Sequence, residues 1–221
     1  MITIRKNKQP GSLIKFRKNG GSSFDALDRE TKNDIINSLL SEQGFLCAYC
    51  MRRIPRDEIN PNTGGVLQDK MRIEHVKEQV NNEDLRLDYG NMVAVCPGYL
   101  GGEMHCDRSK GSTPISLSPF DERLEASISY SSNDGSISSS NAVWNKELTD
   151  KNVLNLNQGS LRASRKMVIK GLIDHLNKRK WTKSQLLKEL DAWSSRNSAG
   201  EYREYLGVVR YYLSRKLKTV K

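Results

Sequence analysis

The sequence lacks the features that mark membrane-spanning and secreted proteins. It contains no run of about 18 apolar residues, so we expect no membrane-spanning helix. Residues 1–21 are basic and have no continuous apolar stretch, which differs from the pattern of a secretory signal. We therefore expect a cytoplasmic protein in a reducing compartment, where disulfides are uncommon. The length of 221 residues is enough for one or two domains with a core.

Cysteine is also scarce, and its 4 residues fall in a pattern that predicts a zinc site. Cys47 and Cys50 form a C-x-x-C, and Cys96 and Cys106 follow with a Pro- and Gly-containing segment between them. Four thiolates suit the tetrahedral coordination of Zn²⁺. The alternatives are a redox-active pair, buried cysteines unrelated to a metal, and His105 in place of one cysteine. Ligation by all four cysteines is preferred because it leaves no cysteine unexplained.

Positive charge is concentrated in the last part of the chain. The net charge is +10, and residues 161–221 contain 16 Lys and Arg against 5 Asp and Glu. Residues 1–160 are nearly balanced, with 20 basic and 21 acidic residues. An excess this one-sided favours a polyanionic partner, with a solvated helical face as the alternative.

The first half of the chain predicts an α+β arrangement. Residues 1–44 should form an extended arm and then a helix capped by Ser22 or Ser23. Within residues 45–125, the segment 55–70 is predicted to be a polar loop. The short segment 71–76 is predicted to be a strand with His75 at its end, and the apolar run at 91–96 is predicted to be the next strand. A helix should begin at position 107.

The second half of the chain predicts a hairpin and a set of helices. Residues 126–160 open with apolar and polar residues alternating around Asn-Asp-Gly at 133–135, which favours a hairpin, although the serine content also permits a linker. The basic residues 161–221 should form three helices, the second capped by Thr182 and the third over 201–218.

A candidate catalytic group lies between the two cysteine pairs and directly after the last cysteine. Glu74 and Asp107 offer hard oxygen ligands for Mg²⁺ or Mn²⁺, and a neutral His75 can act as a general base. This is the inventory for metal-assisted phosphodiester hydrolysis. A histidine beside an acidic residue is more often structural, but the bracketing cysteines favour the catalytic interpretation.

The order of these motifs resembles the HNH nucleases, which have the ββα-metal fold. The segments that carry the resemblance are CAYC (47–50), IEH (73–75), NMV (91–93), Cys96 and CDRSKG (106–111). The resemblance implies that His75 is the base, that Glu74 and Asp107 bind the catalytic ion, and that Asn91 braces the loop presenting the histidine. This chain departs from the pattern in two places: Asp107 replaces a histidine, and the second cysteine pair is wider than C-x-x-C.

A narrower likeness covers nearly the whole chain. It resembles the PtuB-type HNH proteins of Septu anti-phage systems and retrons, through LLSEQGFLCAYCMRRI, RIEHVKEQ, DYGNMVAVCPG, HCDRSKG and VLNLNQGSLRASR. The resemblance implies a PtuA-type ATPase partner and, in retron versions, a reverse transcriptase with its RNA–DNA hybrid. It also implies a nuclease that is held in check until infection.

The combined expectation is an α+β protein with an HNH core, a structural zinc knuckle and basic C-terminal helices. Lys110 or Arg108 would stabilise charge on a bound phosphate, unless both simply face solvent. The C-terminal helices would hold DNA or RNA, or dock an acidic surface of the ATPase. A zinc-stapled binding or adaptor module without catalysis is the alternative function.

Overall fold

The computed structural model describes residues 1–54, 71–178 and 181–220, and its fold is α+β. The helices are α1 (Gly11–Lys18), α2 (Arg29–Glu42), α3 (Asp107–Lys110), α4 (Glu122–Ser127), α5 (Ala142–Thr149), α6 (Gly159–Asn177), α7 (Lys183–Ser194) and α8 (Leu206–Leu217). The strands are β1 (Arg72–His75), β2 (Met92–Val95), β3 (Tyr99–Leu100), β4 (Glu103–Met104), β5 (Ile128–Tyr130) and β6 (Ile137–Ser139). Consecutive strands pair as small antiparallel sheets. The polar loop predicted over 55–70 lies outside the described residues.

The N-terminal segment is only partly the arm that the sequence predicts. Helix α1 forms within it and buries Leu13 completely. Helix α2 begins at Arg29 rather than after Ser22 or Ser23. The cause is the Asp28 side chain, which accepts the N–H of Thr31 at 2.7 Å and so satisfies an amide at the start of the helix.

Strands β1 and β2 confirm the two predicted strands to within a residue at each end. They pair with Glu74 opposite Val93 and His75 opposite Met92. Every residue of β2 is buried. The edge of β2 that faces away from β1 is bonded to the Gln43 side chain. This side chain accepts the N–H of Ala94 and donates to the Ala94 carbonyl, both at 2.7 Å. The sheet is therefore fixed from both sides.

The segment between Cys96 and Cys106 forms a hairpin, where the sequence predicts only a loop. Strands β3 and β4 are joined by Gly101 and Gly102, whose φ values of 61° and 84° lie in the left-handed region. This Gly-Gly pair has the backbone freedom that a two-residue hairpin turn requires. Helix α3 begins three residues after β4 and has only four residues, with Gly111 as its C-cap.

The serine-rich region forms the predicted hairpin, with β5 and β6 paired around the Asn-Asp-Gly turn. The linker alternative is wrong, because residues 128–130 and 137–139 pair as strands. Helix α5 follows the hairpin directly, and the sequence pattern did not predict it. Thr182 caps α7 as expected, through a bond from the N–H of Gln185 at 3.2 Å. Helix α8 begins later than predicted, at Leu206, because Tyr205 has a left-handed backbone with φ 58°.

The segment VLNLNQ (153–158) connects two parts of the fold. The Leu154 carbonyl accepts the N–H of Cys106 at 2.9 Å, and the Asn155 side chain donates to the Met104 carbonyl at 2.8 Å. The Asn157 side chain bonds both backbone groups of Ile137. The segment therefore ties the end of the cysteine-bearing region to the hairpin β5–β6.

Helices α6 and α8 share the main core with the rest of the protein. Their buried residues in that core include Leu161, Ile169, Leu206 and Val208. A second, smaller cluster lies among α6, α7 and α8. Within the described residues, no helix combines the length and the apolar character needed to cross a membrane.

Candidate metal centre and active site

The four cysteines converge on one point, as the sequence predicts. Their Sγ atoms all lie within 4.8 Å of one another, and all four side chains are buried and free of disulfides. The Sγ atoms of Cys47 and Cys106 are 3.8 Å apart, and those of Cys50 and Cys96 are 3.6 Å apart. Four sulfurs at ~2.3 Å from one Zn²⁺ would be ~3.8 Å apart in a tetrahedron. The donor set therefore fits a structural zinc ion.

The first cysteine pair lies on a tight turn fixed by backbone bonds. The Cys47 carbonyl accepts the N–H of Met51 at 3.0 Å, and Met51 has a positive φ of 61° that reverses the chain. The N–H of Ala48 donates to the Ala94 carbonyl at 3.1 Å. This last bond joins the turn directly to β2, so the cysteines and the sheet form one unit.

The ionisation of the cysteines reflects their crowding. Burial raises the pKa of the Cys50 and Cys106 thiols, whereas hydrogen bonds from Cys106 and the other cysteines lower the pKa of Cys96. A bound cation would favour the thiolate form of all four, because metal ligation requires deprotonated sulfur.

His105 lies beside the cysteine cluster and not within the group that converges. Its side chain is completely buried, and Nδ1 is 3.1 Å from Sγ of Cys106. Its Nε2 has no hydrogen-bond partner among the described residues. An imidazole in this position can donate N–H to a metal-bound thiolate, which is a common way to orient a ligand.

Glu74 and Asp107 lie together in a buried network of charges. Oε1 of Glu74 lies 2.9 Å from Nζ of Lys110 and accepts from the Tyr49 hydroxyl at 3.1 Å. Asp107 pairs with Nε of Arg72 at 2.9 Å. Burial, aided by the nearby Asp107 carboxylate, raises the pKa of Glu74 to about 8 although Lys110 acts to lower it.

The two basic residues predicted to contact substrate differ in position. Lys110 does not face solvent, since its side chain is 1% exposed and its ammonium group is directed at Glu74. The predicted contact of Lys110 with a phosphate stays a prediction. Lys110 is the last residue of a four-residue helix, and the pairs Lys110–Glu74 and Arg72–Asp107 link this helix to β1. Arg108, on the same helix, is exposed.

The His75 ring is held in one tautomer. Its Nε2 lies 3.0 Å from the carbonyl oxygen of Arg86. Because a carbonyl oxygen can only accept, Nε2 carries the proton and Nδ1 retains its lone pair. The edge of the Phe24 ring packs against the imidazole at 4.8 Å between centroids, and burial lowers the pKa of His75. The histidine is therefore neutral at pH 7, and its basic Nδ1 has no hydrogen-bond partner among the residues that the structure describes.

Asn91 bonds the turn that leaves β1. Its Oδ1 accepts the N–H of Lys77 at 2.8 Å, and its Nδ2 donates to the Lys77 carbonyl at 2.9 Å. The N–H of Val76 also donates to the Asn91 carbonyl at 2.9 Å. These three bonds fix the two residues that follow His75.

Three residues of this site were missed by the sequence analysis. Tyr49 lies inside the C-x-x-C, where attention falls on the cysteines. Arg72 precedes Glu74 by two positions on a strand, so the alternation of side chains could have placed both on one face. Arg86 contributes its backbone carbonyl, for which the sequence carries no signal.

A second metal site is less clearly defined than the cysteine cluster. Within the described ranges, no other group of three Cys, His, Asp or Glu side chains comes close enough to share an ion. The adjacent Glu74 and Asp107 are hard donors of the type that Mg²⁺ and Mn²⁺ prefer, although each is paired with a cationic side chain. Comparisons of the chain with protein-family models and with curated proteins return no match.

Proposed function

We propose that this protein is a metal-dependent HNH endonuclease that hydrolyses phosphodiester bonds in nucleic acid. The observation that carries the proposal is the neutral His75, which ends the strand that also bears Glu74 and whose Nδ1 is unpaired within the described part of the chain. The chain order β1, β2 and α3, with Asp107 opening the helix, is consistent with a ββα-metal core. The cysteine cluster would bind structural Zn²⁺ and frame this group.

Each residue has a distinct role in the proposed reaction. Nδ1 of His75 takes a proton from the attacking water, and the Arg86 carbonyl keeps the ring in the required tautomer. Asn91 holds the turn after the histidine and so fixes its direction. Glu74 and Asp107 would hold Mg²⁺ or Mn²⁺, which when bound supplies Lewis-acid polarisation of the phosphate.

The two basic residues of α3 then act differently. Lys110 positions Glu74 through their buried ion pair. Arg108 is exposed one residue after Asp107, where its guanidinium can bind a substrate phosphate.

The basic C-terminal helices support a polyanionic partner. Exposed Lys166 and Lys170 lie one turn apart on α6, and Lys178 and Lys183 are also exposed. We propose that these charges hold the DNA or RNA backbone through a salt-sensitive interaction, or dock an acidic surface of a PtuA-type ATPase. The proposed setting is an anti-phage system, with a reverse transcriptase and its RNA–DNA hybrid as further partners if that system is a retron.

Cleavage of labelled nucleic acid tests the proposal. The full chain is incubated with end-labelled DNA and RNA in Mg²⁺ or Mn²⁺, with and without a PtuA-type ATPase. We expect His75→Ala to keep its zinc and fold but to lose cleavage by about 10²–10⁴-fold. The matched control is His175→Ala, since His175 lies exposed on α6 and pairs with Glu189. Full activity in His75→Ala would overturn the base, and no cleavage by the wild type under any condition would overturn the nuclease.

One observation favours the alternative of a binding or adaptor module without catalysis. The negative charge of Glu74 and Asp107 is already balanced by Lys110 and Arg72. Titration with Mn²⁺, followed by electron paramagnetic resonance, separates the two functions. Binding that is lost in Asp107→Ala supports the nuclease, whereas an absence of binding together with an absence of cleavage supports the adaptor.

The charge of α6 can be tested without removing the helix. Deletion of residues 161–221 would remove part of the main core. Reversal of surface charge by Lys166→Glu with Lys170→Glu leaves that core intact. We expect this variant to lose nucleic-acid binding or co-purification with the ATPase, and the one that is lost identifies the partner of the surface.

A further inference from the structure

The hairpin β3–β4 presents two apolar side chains to solvent beside the candidate active site. Tyr99 and Met104 are each 53% exposed and lie directly opposite one another on the paired strands. Side chains opposite each other in an antiparallel pair share one face. They therefore form a small continuous patch, which we name the Tyr99–Met104 face.

The opposite face of the hairpin packs against the rest of the protein. Leu100 is partly buried against the main core, and the Glu103 carboxylate accepts the N–H of Gly159 at the start of α6 at 3.4 Å. The turn also lies against α6, since a Cβ on Gly101 would come within 2.1 Å of Oγ of Ser160. The Tyr99–Met104 face is thus the side that α6 leaves uncovered.

The hairpin is held rigidly at its base. The N–H of His105 donates to the Gly98 carbonyl at 2.9 Å, and the Asn155 side chain bonds the carbonyl of Met104. Both ends of the hairpin lead into metal-binding cysteines, Cys96 before it and Cys106 after it. An aromatic ring mounted in this way loses little conformational freedom when a ligand binds, which favours tight contact.

The position of this face relates it to the proposed cleavage site. Met104 precedes Asp107 by three residues, a span of at most ~11 Å even when fully extended. Exposed Arg108 touches the base of the hairpin, because a Cβ on Gly98 would meet Cβ of Arg108 at 2.6 Å. The backbone next to Tyr99 therefore lies against Arg108, and an aromatic ring combined with a nearby cation is the combination that binds single-stranded nucleic acid.

From this arrangement we propose that Tyr99 stacks on an unpaired base next to the scissile phosphate, with Met104 supporting the ring and Arg108 on the neighbouring phosphate. The inference rests on the proposed function and names its substrate class: nucleic acid that is single-stranded or carries an unpaired nucleotide at the cut. Base faces inside a duplex are covered by their neighbours, so a continuous duplex offers Tyr99 nothing to stack on.

Binding measurements on the full chain test this substrate class. The His75→Ala substitution is used because it should prevent cleavage during the measurement. Fluorescence anisotropy gives the affinity of this protein for labelled single strands and for duplexes of the same sequence. Three further substitutions are each added to it: Tyr99→Ala, Tyr99→Phe and, as a control, Val143→Ala. Val143 is similarly exposed, at 58%, but lies on helix α5.

The expected results separate base stacking from non-specific binding. Tyr99→Ala should weaken single-strand binding about 10-fold, whereas Tyr99→Phe keeps the ring and the affinity. Binding to the duplex should change less than about 2-fold in both. Arg108→Ala should reduce the salt dependence of single-strand binding by about one phosphate contact, a slope of ~0.7.

The outcomes that overturn the inference differ from those that overturn the nuclease. If Tyr99→Ala binds single strands as tightly as the Val143→Ala control while the wild type cleaves nucleic acid, the stacking role is wrong. The Tyr99–Met104 face would then belong to a protein partner or to none. An equal loss for single strands and duplexes would also reject it. If the wild type neither binds nor cleaves nucleic acid, the proposed function fails and this inference fails with it.

Discussion

Lys110 and Glu74 form an ion pair that is almost entirely removed from water. Nζ lies 2.9 Å from Oε1, and the two side chains are 1% and 6% exposed. The pair joins the end of α3 to β1, so the helix that carries Asp107 and the strand that carries Glu74 cannot separate without breaking it. This contact gives Lys110 a structural role.

Replacement of Lys110 should destabilise the protein. Lys110→Met leaves the buried Glu74 carboxyl without its cation, and breaking a buried ion pair typically costs 3–5 kcal/mol. We expect about 3 kcal/mol in the free energy of unfolding, because the raised pKa of Glu74 allows its carboxyl group to take up a proton. Urea unfolding measures the change.

The matched control for Lys110→Met is a change in an exposed pair. Arg123 pairs with Asp121 at 2.7 Å, and the arginine side chain is 83% exposed. Arg123→Met should therefore leave the free energy of unfolding nearly unchanged, because solvent screens an exposed ion pair. Equal losses for the two variants would contradict the structural role of Lys110.

Zinc binding should require the four cysteines and should not require His105. Cys47→Ser removes a ligand, so we expect it to lose more than about 100-fold in zinc affinity and to unfold at a lower denaturant concentration. His105→Asn should keep one zinc per chain, with an affinity about 10-fold weaker, since only a bond to Cys106 is altered. Metal content by mass spectrometry and competition with a chelator measure both. Loss of the zinc in His105→Asn would make the histidine a ligand.

The elements that sequence could predict are those with local signals. Strand β2 follows from a short apolar run, and α7 follows from Thr182 as a cap. The start of α2 was missed because Asp28, which caps helices about as well as serine, sits later in the chain and is the residue that caps this helix. Hairpin β3–β4 was missed because each strand has only two residues, too few for an alternating pattern.

The residues of the candidate site also differ in whether the sequence alone could identify them. The cysteines and the Glu74-His75 pair could be identified from residue type and spacing alone. The burial of Lys110, the tautomer of His75 and the pairing of Arg72 with Asp107 depend on long-range packing that no local pattern encodes. The carbonyl of Arg86 acts through the backbone, which every residue possesses.

Asn91 should be required for order in the turn after β1. Asn91→Ala removes both side-chain bonds to Lys77, leaving two backbone groups unsatisfied, at a cost of about 1–3 kcal/mol. We expect faster hydrogen exchange at the Lys77 amide and a large loss of cleavage with little change in zinc content. Asn81→Ala is the control, because Asn81 lies exposed in the same turn and its side chain bonds Glu78 rather than Lys77. Similar exchange in the two variants would remove the special role of Asn91.

Two glycines next to the metal centre allow a steric effect to be separated from a backbone effect. Gly98 and Gly102 have φ values of 73° and 84°, so alanine is strained at either position. At Gly102 a Cβ meets nothing within 4 Å, whereas at Gly98 it would lie 2.6 Å from both Cβ of Arg108 and the carbonyl oxygen of His105. Gly102→Ala should therefore cost about 1–2 kcal/mol through the backbone alone. Gly98→Ala should cost more and should also weaken zinc binding, because relief of the contact moves the residues on either side of Cys106. Unfolding in urea and chelator competition, performed on both variants, measure the two effects. If the variants lose equal stability and keep equal zinc affinity, the contact of Gly98 with the segment around Cys106 does not constrain the metal centre.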